Sequence, residues 1–295
     1  MNPAIEWRGV SKSFGSLRAL VDLDLAVRPG EVFGFLGPNG AGKTTAIRIA
    51  AGLARADAGV ALLGGIPSTI PASRARAGYV PEDLRFPQGL RLEEWARLQL
   101  DLRCADASRL PAAAERTGLA GRMDGELASF SKGMRRRAAL LLLLALDPEI
   151  WLLDEPTADL DIAGRELMEN VLLDAKGRGK AIFLSSHILS EVERVCDRVG
   201  VIGKGRLEKT ARPADLLPAP FLIDAILAAL PPEPASLLGG RAHVVTREPS
   251  RLRVFVADRE EGNEVVRALE AAGFAPRETV FRAASLRDAL GEVSR

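Results

Sequence analysis

Histidine, cysteine and tyrosine are scarce in this 295-residue chain, which holds two His, two Cys and one Tyr. Cys104 and Cys196 cannot build the disulfide framework of a small secreted domain, and they fit a reducing compartment. Excess charge is missing as well. The 40 basic and 39 acidic side chains nearly cancel, which argues against the basic footprint of a nucleic-acid binder, so no nucleic-acid partner is expected. Arginine outnumbers lysine 33 to 7, a bias that fits codon usage in a GC-rich genome better than a binding role. The first residues, Met1-Asn2-Pro3-Ala4-Ile5-Glu6-Trp7, lack the basic start and apolar stretch of a signal peptide. No apolar run reaches the about 20 residues that a bilayer crossing needs. The run Ala138–Leu146 is apolar throughout, but Arg135, Arg136 and Arg137 precede it and Asp147-Pro148-Glu149 ends it. It reads as a buried core helix, and the chain is not expected to span a membrane by itself. With 47% hydrophobic and 27% charged residues, the composition is that of an ordinary soluble protein of one large or two ordinary domains.

What is present is concentrated in a few short segments. Gly37-Pro38-Asn39-Gly40-Ala41-Gly42-Lys43-Thr44 fits the pattern G-x-x-x-x-G-K-[ST], a loop whose backbone N–H groups wrap a polyphosphate. Composition alone gives roughly one chance match per two hundred shuffled chains. The preceding Glu31–Leu36 is short and apolar, as a buried strand should be. The following Thr45–Ala51 carries Ile47, Ala50 and Ala51 at helical spacing. The loop therefore joins a strand to a helix N-terminus, where orphan N–H groups and the helix dipole favour an anion. A nucleoside triphosphate is the expected ligand.

A second apolar run, Ile150–Leu153, ends in Asp154-Glu155-Pro156. Ligands of a parallel α/β sheet collect at the carboxyl ends of its strands. There Asp154 would hold Mg²⁺ together with Thr44, and Glu155 would polarise the water that attacks the γ-phosphate. A solvated Asp-Glu turn is the plain alternative, and the upstream phosphate loop weighs against it. A third run, Ala181–Ser186, again reads as a buried strand with His187 at its end. A neutral imidazole there could bond a γ-phosphate oxygen or the attacking water. Before the Leu-rich run, Ser129-Phe130-Ser131-Lys132-Gly133-Met134-Arg135 offers Ser131 or Ser129 as a helix N-cap. A capped helix with an accessible glycine is also a second anion site. One phosphate loop and one separate anion site suggest two chains sharing a nucleotide.

In order and spacing these segments resemble the ATP-binding subunit of an ABC transporter, over about Ile5 to Leu207. By that resemblance Gly37–Thr44, with Thr45 following, is the Walker A loop. Ser131-Lys132-Gly133-Met134 stands at the L-S-G-G-Q signature, Ile150–Glu155 is the Walker B strand, and Ala158-Asp159-Leu160-Asp161 occupies the D-loop. His187 is the switch histidine, and Phe14 stands where an aromatic residue stacks on adenine. Glu82, within Tyr79-Val80-Pro81-Glu82, stands at the Q-loop, which contacts Mg²⁺ and senses the membrane subunit. Several letters depart from the family's pattern: Glu82 for Gln, Lys132 for Gly, Met134 for Gln, and Ala158-Asp159 for Ser-Gly. The resemblance implies an ATPase with ATP and Mg²⁺ as cofactors, nucleotide contacts from Phe14, Gly37 to Thr45, Glu82, Ser131, Gly133 and Asp161, metal contacts from Thr44, Glu82 and Asp154, and catalysis by Lys43, Glu155 and His187. It also implies a second ATP-binding subunit, a separate membrane permease, and a place on the inner face of the cell membrane. The signature variant and a C-terminal extension point to the export branch. A non-transport ABC ATPase with a regulatory role is the alternative.

The expected fold is α/β: a P-loop NTPase core with a mainly parallel sheet, a small antiparallel β subdomain and a helical subdomain at about 84–137. The ATP-binding domain should cover 1–217, and a small α+β extension 218–295. Leu90, Leu92, Trp95, Leu98 and Leu102 recur at near-helical spacing in the helical subdomain. Pro218, Pro220 and Pro231-Pro232-Glu233-Pro234 mark an expected linker. Beyond it, strands are expected on either side of Pro249-Ser250, then an amphipathic helix at 261–272.

Overall fold

A computed structural model describes residues 2–238, 243–248 and 250–290. The chain divides into two compact units after Thr210. The first begins with strands β1 (Ile5–Phe14) and β2 (Leu17–Val27), an antiparallel pair. β3 (Val32–Leu36) leads through the glycine-rich loop into helix α1 (Lys43–Ala50). β4 (Ala58–Leu63) and β5 (Ile66–Pro67) complete a four-stranded antiparallel sheet of order β2-β1-β4-β5. Helix α2 (Pro71–Ala75) and β6 (Ala77–Val80) follow, then α3 (Leu92–Asp101), α4 (Leu110–Arg116) and α5 (Lys132–Leu146). The remainder is β7 (Ile150–Asp154), α6 (Ile162–Gly177), β8 (Ala181–Ser186), α7 (Leu189–Val195), β9 (Arg198–Gly203) and β10 (Arg206–Ala211).

The second sheet has order β10-β9-β3-β8-β7-β6, and its pairs β9–β3, β3–β8, β8–β7 and β7–β6 are parallel. Strands β3, β7 and β8 are buried along their whole length, which is why they read as continuous apolar runs with no alternation. An aromatic cluster joins the two sheets. Phe183 of β8 packs against Trp7 of β1 with ring centroids 4.7 Å apart and against Phe35 of β3 at 5.3 Å. The indole of Trp7 donates to the Ala46 carbonyl of α1 at 3.1 Å. A buried ring that needs a polar partner thereby fastens the antiparallel sheet to the helix behind the phosphate loop. Helix α5 starts at Ser131, whose hydroxyl accepts from the Met134 N–H at 3.2 Å, and ends at Asp147 in the left-handed region (φ 47°). Its apolar stretch is buried except at Leu142 and Leu146, which are half-buried. Leu98 and Leu102 at the end of α3 are exposed. Among the described residues, no helix is long and apolar enough to cross a membrane.

The second unit is a four-stranded antiparallel sheet of order β12-β13-β11-β14. Its elements are β11 (Phe221–Ile226), helix α8 (Pro234–Leu237), β12 (His243–Glu248), β13 (Arg251–Val256), helix α9 (Arg259–Ala271), β14 (Glu278–Ala283) and helix α10 (Leu286–Leu290). Val265 and Leu269 of α9 pack into a core with Ile223, Val254 and Val256. Pro249, between the two expected strands, lies outside the described residues. One expectation is overturned. The proline-marked stretch read as a linker contains β11, an inner strand bonded to β13 on one side and β14 on the other. The prolines flank β11 and do not enter it, so they cost the ladder no donor. The short turn Pro213–Leu216 belongs to this unit because it packs against α10.

Candidate active site

The phosphate loop is shaped by two positions where no side chain fits. A Cβ on Gly37 would stand 2.4 Å from the Ile202 carbonyl oxygen of β9. Gly42 has φ 113°, and its Cβ would stand 2.3 Å from the Ala19 carbonyl oxygen. The loop backbone is thus pressed against β2 and β9, with Asn39 and Gly40 exposed at its tip. Helix α1 has no side-chain cap at its N-terminus, and its first internal bond runs from Ala46 N–H to the Gly42 carbonyl. The N–H groups before Ala46 therefore have no partner inside the helix, and they form the concave anion site expected there.

Lys43 is buried, and its ammonium folds back over the loop. It donates to the Gly37 carbonyl at 2.7 Å and to the Pro38 carbonyl at 3.4 Å, and lies 3.7 Å from Glu155 Oε1. Thr44 Oγ1 donates to Asp154 Oδ1 at 3.2 Å, joining α1 to the end of β7. The same oxygen accepts from Ser185 Oγ of β8 at 2.7 Å. Ser185 Oγ in turn accepts the Glu155 backbone N–H at 2.9 Å. One hydroxyl thus holds the Asp154 carboxylate and the backbone of Glu155. The polar Ser185-Ser186 pair closing an otherwise apolar strand was the sequence signal for it. Glu155 adopts φ 48°, a left-handed conformation that a non-glycine residue rarely takes. Its Oε2 lies 2.7 Å from Nδ1 of His187. The six residues Lys43, Thr44, Asp154, Glu155, Ser185 and His187 form one connected group, linked in the middle by the Glu155 backbone N–H.

Whether this group fits a metal–nucleotide ligand can be tested on one atom. Asp154 is 1% exposed, and its second oxygen, Oδ2, is buried without a hydrogen-bond partner. An unpartnered buried carboxylate oxygen beside a threonine hydroxyl and an anion cradle suits a divalent cation. No cluster of three or more His, Cys, Asp or Glu side chains that could cage a metal occurs among the described residues. Thr44 Oγ1 and Asp154 Oδ2 offer the one or two protein oxygens by which Mg²⁺ is usually held together with substrate phosphates.

The other expected residues lie elsewhere in the first unit. Ser131, Gly133 and Asp161 line an open cleft of about 310 Å³ with Lys132, Met134, Arg137 and Asp159. Asp161 caps α6 by accepting from the Gly164 N–H at 2.8 Å, and Lys132 pairs with Asp159 at 3.5 Å. Glu82 is exposed, and its carbonyl accepts from the Arg136 guanidinium at 2.8 Å, as the Pro81 carbonyl does at 2.6 Å. Burial pulls the Arg136 pKa down, against the opposing field of Asp159, Glu82, Asp154 and Glu155. Arg136 was not foreseen as a site residue: inside an Arg-Arg-Arg run nothing marks the one that turns inward. Phe14 is 54% exposed on the β1–β2 hairpin, with the Lys12 ammonium 5.3 Å from its ring centroid.

A parallel sheet with a glycine-cradled lysine, and two carboxylates at the end of the neighbouring-but-one strand, defines a P-loop nucleoside triphosphatase. A family model described as "ABC transporter" matches residues 20–158. The uncharacterised ABC transporter ATP-binding protein YhcH of Bacillus subtilis (strain 168) is 37% identical over 214 residues, 70% of this chain and 69% of that protein. The Nod factor export ATP-binding protein I of Paraburkholderia xenovorans (strain LB400) is 36% identical over 250 residues, 83% of this chain and 82% of that protein. A solved ATP-binding subunit of an ABC transporter superposes with a TM-score of 0.69 at 28% identity, over 72% of this chain and 91% of that one. The chain belongs to the ATP-binding proteins of the ABC transporter family, and it is an ATPase that uses ATP and Mg²⁺.

Proposed function

We propose that this chain powers a separate membrane permease that exports its cargo, working from the inner face of the membrane as one of two identical ATP-binding subunits. The observation that carries the reading is the connected group at the ends of β3, β7 and β8, where a lysine, a metal-type carboxylate and a second carboxylate, its backbone tied to the first through Ser185, meet. The names of the Nod factor export relatives, at 35–36% identity, support the export direction. The cleft at the start of α5, apart from the phosphate loop, supports a shared site in which Ser131 and Gly133 of one copy face the nucleotide of the other. Asp161 lies at the same edge, and Phe14 offers its exposed ring to the adenine.

In this reading Lys43 swings from the Gly37 and Pro38 carbonyls to the β- and γ-phosphate oxygens. Thr44 and Asp154 would hold Mg²⁺, and the Glu82 carboxylate would add negative charge for the metal to offset. The metal, when bound, neutralises charge that builds on the phosphate oxygens. Glu155 accepts a proton from the attacking water, and His187 holds the Glu155 carboxylate in place across their 2.7 Å contact. Positioning and charge stabilisation supply most of the rate.

Glu155→Gln tests it. The amide keeps the shape and removes the base, so turnover should fall by about 10²–10⁴-fold while ATP binding persists. An ATP-bound dimer should accumulate on a sizing column. Hydrolysis at the normal rate would show that another group is the base.

A further inference from the structure

The outer edge of the second unit's sheet carries a self-complementary strand. β14 pairs with β11 along one side, in register from Glu278 opposite Ile226 to Ala283 opposite Phe221. It is the terminal strand of the sheet, so its other side carries no strand among the described residues. A six-residue edge of unpaired backbone groups is a template for another strand, and proteins usually blunt such edges with proline, a bulge or a central charge. Here the pairing with β11 runs without a register shift, and no proline interrupts Glu278-Thr279-Val280-Phe281-Arg282-Ala283. The centre of the exposed side is apolar: Val280 is 45% exposed.

The charges identify the occupant. Glu278 and Arg282 flank Val280 symmetrically, two positions to either side, and all three share one face of the strand because side chains alternate. If two copies of β14 lie antiparallel about a two-fold axis at Val280, each Glu278 stands opposite the other copy's Arg282. Val280 then meets Val280, and Thr279 meets Phe281. Opposite charges across a strand pair stabilise it, and like charges oppose it. Moving the axis by one residue sets Arg282 against Val280 and loses both charge matches. The Arg282 guanidinium is held by Asp288 at 2.7 and 2.8 Å, so it is presented in a fixed place. An isologous contact of this kind closes on itself and cannot propagate into a fibre.

We propose that β14 is a homotypic docking edge, through which the second units of two copies join into a continuous eight-stranded antiparallel sheet centred on Val280. Two short strands make a small interface, well below the about 1,200 Å² of a stable complex. The contact is therefore weak on its own and strengthens when another interface holds the copies together. It needs neither nucleotide nor the phosphate loop, so it stands or falls apart from the ATP-site reading.

Cysteine cross-linking of the full chain without nucleotide tests it. Exposed Cys104 is first replaced by Ser; Cys196 is buried. At the central position of an antiparallel pair the Cα atoms lie about 4.5–5.5 Å apart, within disulfide reach. Cysteines at 278 in the two copies would be four residues out of step, about 14 Å apart, and cannot bridge. Val280→Cys should therefore form dimers under mild oxidant at least about tenfold faster than Glu278→Cys or Arg282→Cys. Mixing Glu278→Cys with Arg282→Cys chains should restore cross-linking. Adding Glu278→Arg to Val280→Cys should slow dimer formation about threefold by setting like charges opposite each other. No cross-linking at 280, or equal rates at 278, 280 and 282, would overturn the proposal. Circular dichroism of each variant confirms that an unreactive chain is folded.

Discussion

Removing one hydroxyl should uncouple ATP binding from hydrolysis. Ser185 is fully buried at the end of β8, and its Oγ donates to Asp154 and accepts from the Glu155 N–H. Ser185→Ala leaves the β8 backbone and its packing unchanged and deletes both bonds. The Glu155 N–H is then left in a buried place without its acceptor, which costs about 1–3 kcal/mol, and the charge-assisted bond to Asp154 is lost as well. A total near 2 kcal/mol lowers the melting temperature of a unit of this size by roughly 4–8 °C. Glu155 also loses what holds its left-handed backbone, so its carboxylate should wander by a fraction of an ångström. Misplacement on that scale lowers kcat by about 10–100-fold. Among the described residues the hydrogen bonds of the Ser185 hydroxyl go to Asp154 and Glu155 and none to the phosphate loop, so the KM for ATP should change little. Calorimetry and a phosphate-release assay measure the two effects on one preparation. A variant with normal melting temperature and normal kcat would refute the reasoning, because it would mean that Glu155 is positioned by its own loop alone.

Lys43→Ala should weaken binding of a fluorescent ATP analogue by about 10–100-fold, the worth of hydrogen bonds from a charged donor, and undiminished binding would count against the loop as the phosphate site. Glu82→Gln should make ATP binding less steeply dependent on Mg²⁺, since the native carboxylate adds a negative charge that the metal offsets; identical titrations of the two proteins would remove Glu82 from the metal's surroundings. The second unit should lose stability in acid. Burial works to raise the Asp288 carboxyl, but the hydrogen bonds from Arg282 and Ser285 outweigh it and hold the group at about 2. Burial likewise opposes the Arg251 and Arg253 contacts that keep Asp224 below the ordinary carboxylate range. Both groups have depressed folded pKa values, so their contribution is complete above the unfolded value near 4 and is lost as pH falls toward 2. Near-UV spectra followed from pH 5 to pH 2 should show the loss in that window, and it should shrink in Asp288→Asn.

Some of this protein is written in consecutive residues. The phosphate loop, the strands ending at Asp154 and Ser186, and the cap at Ser131 are local matters, because glycine conformation, apolar runs and capping act within a few residues of sequence. A strand buried on both faces announces itself as an unbroken apolar run, and that is why β3, β7 and β8 were legible. The second unit was less so. Its inner strand β11 is six residues long between prolines, which locally carry the signature of a linker. What decides β11 is its pairing with β13 and β14, whose residues lie about thirty to sixty positions further on. The chemistry of the site depends on the same kind of long-range meeting. Thr44 and Asp154 are 110 residues apart in the chain, and Glu155 and Ser185 are 30 apart. Only the parallel order β3-β8-β7 brings their ends together. Sequence alone determined which residue types could bind phosphate and metal. The tertiary structure decided that the Ser185 hydroxyl bonds both the Asp154 carboxylate and the Glu155 backbone N–H, and that Arg136, one of three adjacent arginines, turns inward to the Pro81 and Glu82 carbonyls. A hydrogen bond requires its partners within about 3 Å, and no local pattern specifies which distant atom the fold will carry there.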